Sequence, residues 1–278
     1  GRVLVVAGGN SDGWLKDAEI YDLENDRWRT TNPPSPHGTY HAAVALSDGR
    51  VLVTGACLEG ADEPASTAAS IFDPETNAWT KAAPMAQARC GHLAALLPDG
   101  RVLVAGGTDG QADLASSEVY DPAQDTWAPA GEMAVSRTYG VAVSLTGGQV
   151  LVAGGVTSGK TLDDVEIFDA EGLSWGAAAP LPSGRDAITL SALADGRGLL
   201  TGGERSRTEW TEENYFDDAM VFDPVDDTWG TPGMMVAARA AHTATLLADG
   251  RIFIAGGLET PERAIGDTEV LTPVDADR

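Results

Sequence analysis

Positive charge is scarce in this chain. Lysine and arginine together number 18 against 42 aspartates and glutamates, for a formal net charge of −24 and a pI near 4.2. Only Lys16, Lys81 and Lys160 are lysines. A field of that sign repels nucleic-acid phosphates and anionic headgroups, so nucleic acid is not an expected partner. No run of 18 apolar residues occurs, so no membrane-inserting helix is expected either. Cysteine is nearly absent: Cys57 and Cys90 are too few for a disulfide framework. Histidine is limited to His37, His41, His92 and His242, and no Ser/His/Asp order, phosphate loop or Cys-rich metal motif occurs. The sequence therefore nominates no catalytic residue, no metal ligand and no cofactor. No leader is visible, although the chain opens inside a repeat.

What the chain does have is self-similarity. The segment beginning at Arg2 (RVLVVAGG) returns at Arg50, Arg101, Gln149, Arg197 and Arg251, each time after a Gly and, except at Gln149, usually after Asp-Gly. A period near 50 residues with several short strands per unit describes one blade of a β-propeller. Within a unit, a small-residue strand such as His41-AAVAL meets an Asp-Gly turn, predicted as a two-residue type I′ hairpin. Next comes an apolar run, VLVAGG-like, predicted to be buried on both faces. A third strand ends in Tyr-Asp or Phe-Asp (Tyr21, Phe72, Tyr120, Phe168, Phe222). A polar turn then leads to one tryptophan per unit, Trp28, Trp79, Trp127, Trp175 or Trp229, expected to wedge between blades.

Paired glycines, the Tyr/Phe-Asp-Pro strand and a single downstream tryptophan resemble the kelch repeat over essentially the whole chain. The resemblance implies an all-β, kelch-type β-propeller of about six four-stranded blades, as one domain over residues 1–278. First and fourth strands are missing from one terminal unit each, so the terminal blades are incomplete and a fragment of a longer propeller is expected. Kelch propellers serve as interaction modules, oxidases and sugar isomerases, so the resemblance leaves function to the loops.

Two features narrow the search to the face carrying the variable loops. The longest loop, in blade five, runs from Glu204 through Arg205, Arg207, Trp210, Tyr215 and Phe216 to Asp218. Its aromatics and arginines are the residue types that anchor interfaces, unless the rings fold back over the blade. Second, an arginine stands three residues before the small-residue strand in four units, as Arg89, Arg137, Arg185 and Arg239. Glu118, Glu166 and Glu269 occupy one place in the third strand of three of the same units, while blade two has Gly38 and Ser70. Intra-blade pairs Arg89–Glu118, Arg137–Glu166 and Arg239–Glu269 are therefore expected. Arg185 faces Met220 instead, so it is expected to find an acid of the long loop or to remain open to an anionic ligand.

Among kelch enzymes, the copper oxidases use two histidines, two tyrosines and a cysteine–tyrosine crosslink, for which no tyrosine is suitably placed. The sialate mutarotases need acid–base groups, which Arg185, Glu204 and the histidines could supply. The expected function is a non-catalytic scaffold for a protein or glycan ligand on the loop face of blade five; a carbohydrate-active enzyme is the alternative. A cluster of polar groups with shifted pKa values favours the enzyme. Aromatics spread over exposed loops favour the scaffold. The cysteines fall in neighbouring blades; two separate buried thiols are expected, although a disulfide is geometrically conceivable and would favour an extracytoplasmic home.

Overall fold

The computed structural model describes residues 2–10, 13–31, 38–58, 65–205, 214–230, 233–260 and 262–272, and it contains no α-helix among them. The chain divides into two compact units, Gly1–Glu132 and Met133–Arg278. The first unit holds three antiparallel sheets. Blade one has the strands Arg2–Asn10, Gly13–Asp22 and Arg27–Thr31; blade two has Ala42–Ala45, Val51–Thr54, Ala69–Asp73 and Ala78–Lys81. Blade three has Leu93–Leu96, Val102–Ala105, Ser116–Asp121 and Thr126–Glu132. In the second unit, blade four is Val141–Ser144, Gln149–Ala153, Val165–Asp169 and Ser174–Ala177. Blade five is Thr189–Ala192, Gly198–Thr201, Asp218–Asp223 and Thr228–Trp229, with Gly233–Met234 also on its third strand. Blade six has Thr243–Leu246, Ile252–Ala255 and Thr268–Leu271. Among the described residues each terminal blade thus has three strands.

The second strands of blades three to five are buried on both faces, as their unbroken apolar runs require: Val102 through Ala105 are at most 1% exposed, whereas Val3 and Val5 of blade one and Phe253 of blade six are partly exposed. Within each unit, neighbouring blades pack through these rows. Val102 and Tyr120 of blade three meet Leu46, Leu52 and Ile71 of blade two. Leu200 and Phe222 meet Leu151 and Val165 in the same way, and Ile252 and Ile254 meet Leu193 and Leu199. Each such aliphatic side chain contributes about 1.5–3 kcal/mol by leaving water. Tryptophans lie across these seams. Trp127 Nε1 donates at 2.7 Å to Ala83 O in the link preceding its own blade, and Trp79 Nε1 donates at 2.8 Å to Thr31 Oγ1 at the end of the last strand of blade one. Trp28 stays 52% exposed.

The hairpin expectation needs correction. The loop is three residues, with Leu46 N bonded to Arg50 O and Gly49 N to Leu46 O. Only the glycine takes positive φ, +87° at Gly49, whereas blade four does so at both Gly147 and Gly148. This is a type I turn closed by a left-handed glycine. Asp48 is committed to Arg50, accepting its backbone N–H at 3.0 Å and its Nε at 2.8 Å, and Asp99, Asp195 and Asp249 repeat the arrangement. The aspartate of each Tyr/Phe-Asp motif has a similar local duty: Asp73 Oδ1 accepts from Glu75 N at 2.8 Å and starts the next turn.

The cysteine expectation is also corrected. Cys57 and Cys90 form a disulfide, joining blade two to blade three across a Cα–Cα distance of 5.1 Å.

Two of the repeat histidines are structural. His92 Nε2 lies 2.9 Å from Thr54 Oγ1, and His242 Nε2 lies 2.8 Å from Thr201 Oγ1. Threonine stands before the glycine in these two blades alone among blades two to six; Ala105, Ala153 and Ala255 fill the place elsewhere. A side chain at Gly55 would strike Arg89 O at 2.2 Å and His92 Cε1 at 2.6 Å, so glycine is what lets the ring in. Burial first, then the Arg89 charge, lowers the His92 pKa to about 3. Folding therefore excludes a proton that the unfolded imidazole binds below its ordinary value. His92's contribution is whole above pH 6.5 and is lost as pH falls toward about 3. Between pH 7 and 5 this site is expected to cost the protein about 2 kcal/mol, a loss that His92→Gln removes. Urea midpoints of the two proteins against pH check this, and parallel pH profiles would sink it.

Candidate functional site

Blade five departs from its neighbours on the loop face. Its second strand is followed by Gly202 and Gly203, both at positive φ. A Cβ on Gly203 would meet Ile188 Cγ2 at 2.3 Å and Asp186 O at 2.7 Å, so the chain passes here only as glycine. Beyond it a stem forms. Arg205 N donates to Asn214 O at 2.7 Å and Phe216 N to Gly203 O at 3.0 Å. Thr161 Oγ1 of blade four donates to Arg205 O at 2.6 Å, and Arg239 N of the link to blade six donates to Phe216 O at 3.0 Å. The stem is thus held by the blades on both sides.

Arg185 is 1% exposed and is not open to an anion, which corrects that reading. Asp218, the acid that ends the loop, accepts from both terminal nitrogens, at 2.5 Å from Nη1 and 3.2 Å from Nη2. The guanidinium carbon stacks 3.7 Å from the centroid of the Phe216 ring, with Arg205 Cζ 5.2 Å from the same centroid. Phe216 therefore covers Arg185 rather than presenting a bare anchor. Tyr215 is 7% exposed, so it too folds back. Arg207 and Trp210 lie outside the described residues. Of the nominated loop residues described, Arg205 is the exposed one.

The other arginines sit 2.7–2.9 Å from their glutamates: Arg89 to Glu118, Arg137 to Glu166 and Arg239 to Glu269. Each network also reaches backbone. Arg137 Nη1 donates to Gly154 O and Asp164 O, while Glu166 accepts Ala134 N at 2.7 Å. Burial pulls the Arg89 pKa below its ordinary value, with Glu118 opposing the shift. In blade four a second acid, Asp164, lies 3.4 Å from Arg137. Asp218 takes the Asp164 position in blade five, which frees Met220 to enter the apolar cluster where blades three, four and six keep glutamate.

The residue after each repeat arginine was not singled out by sequence, and it matters most in blade five. Cys90, Thr138, Asp186 and Ala240 each bridge the residue just past the glycines: Thr108, Val156, Glu204 and Leu258 respectively. Asp186 and Glu204 exchange both backbone hydrogen bonds, at 3.0 and 2.9 Å. Residues so paired carry their side chains on one face, with Cα atoms about 5.5 Å apart. Blade five alone among these four sets two carboxylates there, Asp186 at 0% and Glu204 at 8% exposure. Tyr215 donates its hydroxyl to Glu204, and its pKa is pushed up to about 12 by burial, then by the charges of Glu204 and Asp186. No group of three or more His, Cys, Asp or Glu suited to a metal occurs among the described residues.

Comparison with known proteins follows the same lines. A family model described as the KLHDC2/KLHL20/DRC7 Kelch-repeats domain matches residues 40–257, and a Kelch motif model matches residues 1–35. Kelch-like protein 34 of Homo sapiens is 36% identical over 101 residues, covering 34% of this chain and 15% of that protein. Spermatocyte protein spe-26 of Caenorhabditis elegans is 31% identical over 124 residues, covering 42% and 21%. The chain thus spans a small part of either relative. A solved structure titled "Structure of YjhT" superposes with a TM-score of 0.74 over 97% of this chain and 91% of that one, at 17% identity, a likeness of fold.

Proposed function

Given that the chain belongs to the KLHDC2/KLHL20/DRC7 kelch-repeats domain family, we propose that it is a non-catalytic scaffold that binds a protein on the loop face of blade five. The pinned stem carries this reading: Arg205–Asn214 and Gly203–Phe216 hydrogen bonds fix both ends of the longest loop. Whatever residues 206–213 contact, they do so from a base already ordered, which lowers the entropic cost of binding. Exposed Arg205 stands at the foot of that loop. The disulfide supports an oxidising, extracytoplasmic setting, where such bonds persist.

A peptide-display selection on the immobilised protein, run beside a glycan array, tests this. Selected peptides are expected to lose at least roughly tenfold in affinity when residues 206–213 become a Gly/Ser linker of equal length, with the thermal transition unchanged. Ligands that bind the linker variant equally well would place the site elsewhere.

Carbohydrate-active catalysis is the second reading, favoured by Asp186, Glu204 and Tyr215. Two carboxylates and a phenol gathered in a buried patch resemble an acid–base set more than an interface. Exchange of anomer signals in NMR spectra of a free sugar acid, accelerated by the protein and lost in Glu204→Gln, would favour this reading over the scaffold.

A further inference from the structure

An aspartate followed by glycine is open to attack on itself, because no Cβ shields the glycine nitrogen from the aspartate side chain. This chain has six Asp-Gly pairs, at Asp12, Asp48, Asp99, Asp109, Asp195 and Asp249. Asp12 lies outside the described residues. Four of the others belong to the repeat turns, and in each the residue after the glycine is arginine: Arg50, Arg101, Arg197 and Arg251. The arginine holds both carboxylate oxygens. Oδ1 accepts its backbone N–H at 3.0–3.1 Å, and Oδ2 accepts its Nε at 2.6–2.8 Å. The glycine nitrogen is engaged too, donating to Leu46 O at 3.0 Å in blade two and to Leu97 O, Leu193 O and Leu247 O in the others. Solvent is not what these turns exclude, since the aspartate side chains are 48–51% exposed. Blade four has Gly147 in place of the aspartate, and there Gln149 replaces the arginine. Among blades two to six, arginine therefore stands at this place only where there is an aspartate to hold.

Asp109, in the loop past the glycines of blade three, breaks the pattern. Its turn is built alike: Gly110 has φ +91° against +87° at Gly49, and Asp109 Oδ1 accepts Gln111 N at 2.8 Å and Ala112 N at 2.9 Å. The residue after the glycine is Gln111, however, and among the described residues Asp109 Oδ2 accepts no hydrogen bond. Gly110 N donates to Thr108 Oγ1 at 3.1 Å, a rotatable hydroxyl rather than a backbone carbonyl fixed in a hairpin.

We propose that Asp109 is an isoaspartate-forming site, and that the arginine of each repeat turn guards its aspartate from the same reaction. The Gly110 nitrogen attacks Cγ of the protonated Asp109 carboxyl. A C–N bond forms, the amide proton and the carboxyl OH leave as water, and a succinimide ring closes. Water then reopens the ring. Cleavage at the former main-chain carbonyl leaves the backbone running through Cγ as isoaspartate, whereas cleavage at Cγ restores aspartate, so water is the one co-reactant. Isoaspartate lengthens the backbone by one methylene and removes the carboxylate that receives Gln111 N and Ala112 N. The loop is thereby reshaped beside the disulfide, since Thr108 is bridged to Cys90.

The intact chain is aged at neutral pH and physiological temperature, then reduced, digested with trypsin and scored for isoaspartate by electron-transfer fragmentation. Trypsin places the six pairs in six different peptides, so each is counted separately. Isoaspartate is expected to accumulate at Asp109 about fivefold faster than at Asp48, Asp99, Asp195 or Asp249, the worth of one well-aligned exposed ion pair at each guarded turn. Gln111→Arg, which gives Asp109 the missing guard, is expected to slow it to the rate of the repeat turns. Arg50→Ala is expected to raise Asp48 to the rate of Asp109 and to leave Asp99, Asp195 and Asp249 unchanged. The comparison within the unsubstituted chain, and its reversal in Gln111→Arg, stand even if Arg50→Ala folds poorly. Equal rates at Asp109 and the four guarded turns overturn the proposal, as does a Gln111→Arg chain that forms isoaspartate at Asp109 as fast as wild type. None of these outcomes depends on the blade-five loop, so this site and that one fail separately.

Discussion

Arg137→Ala is expected to destabilise the protein by about 3–5 kcal/mol, among the largest effects of any single substitution. Arg137 is fully buried and Glu166 is 1% exposed, so truncation strands a carboxylate where water cannot replace its partner. The guanidinium also satisfies Gly154 O and Asp164 O, and those carbonyls lose a donor at the same time. Lysine is not expected to rescue the site, since one ammonium cannot span two carbonyls and the carboxylate that the planar fork reaches together. Replacing both partners, as in Arg137→Met with Glu166→Leu, is expected to recover much of the loss, because the unpaired charge disappears with the pair. Urea denaturation of the four proteins measures this. A single mutant within about 1 kcal/mol of wild type would show the arginine is not the tie between strands that its contacts imply.

How far the sequence could be read depends on whether a feature repeats. The blades were legible because each carries the same buried run and the same Tyr/Phe-Asp and Trp positions, so six imperfect copies averaged out local ambiguity. The arginine–glutamate partners were legible for the same reason: both are missing together in blade two, where Gly38 and Ser70 stand instead. Thr54 with His92 and Thr201 with His242 are an equal pairing, but one that runs between neighbouring blades and shows only when the threonine of one unit is set against the histidine of the next. Features that occur once were harder. Whether Phe216 pointed outward or back could not be decided from spacing, because its position is set by stacking on Arg185, a tertiary contact. Asp186 follows a repeat arginine, yet no spacing in the sequence sets it against Glu204; the bridge between them does. The turn departs from the expected type because Asp-Gly suits more than one hairpin, and Asp48's bonds to Arg50 select the longer one.

The cysteines bear on the compartment as well as on stability. Each is already held inside its own blade by a pair of backbone hydrogen bonds, Cys57 to Thr39 and Cys90 to Thr108. The disulfide adds a covalent tie between two blades that otherwise meet through apolar packing and through hydrogen bonds such as His92 to Thr54 and Gly91 to Tyr40. It closes a loop across a sequence separation of 33 residues, and chain-entropy reasoning gives about 4 kcal/mol for a loop of that size. Cys57→Ser with Cys90→Ser is therefore expected to lower stability by about 2–4 kcal/mol, the lower figure allowing for structure retained in the unfolded chain. Reductant should bring the wild-type protein to the same unfolding midpoint as the double variant while leaving the variant unmoved. Thiol titration under denaturing, non-reducing conditions is expected to find no free cysteine. Two titratable thiols in protein recovered from its native compartment would remove both the stabilisation and the argument for an oxidising environment, since a bond that does not form there constrains nothing.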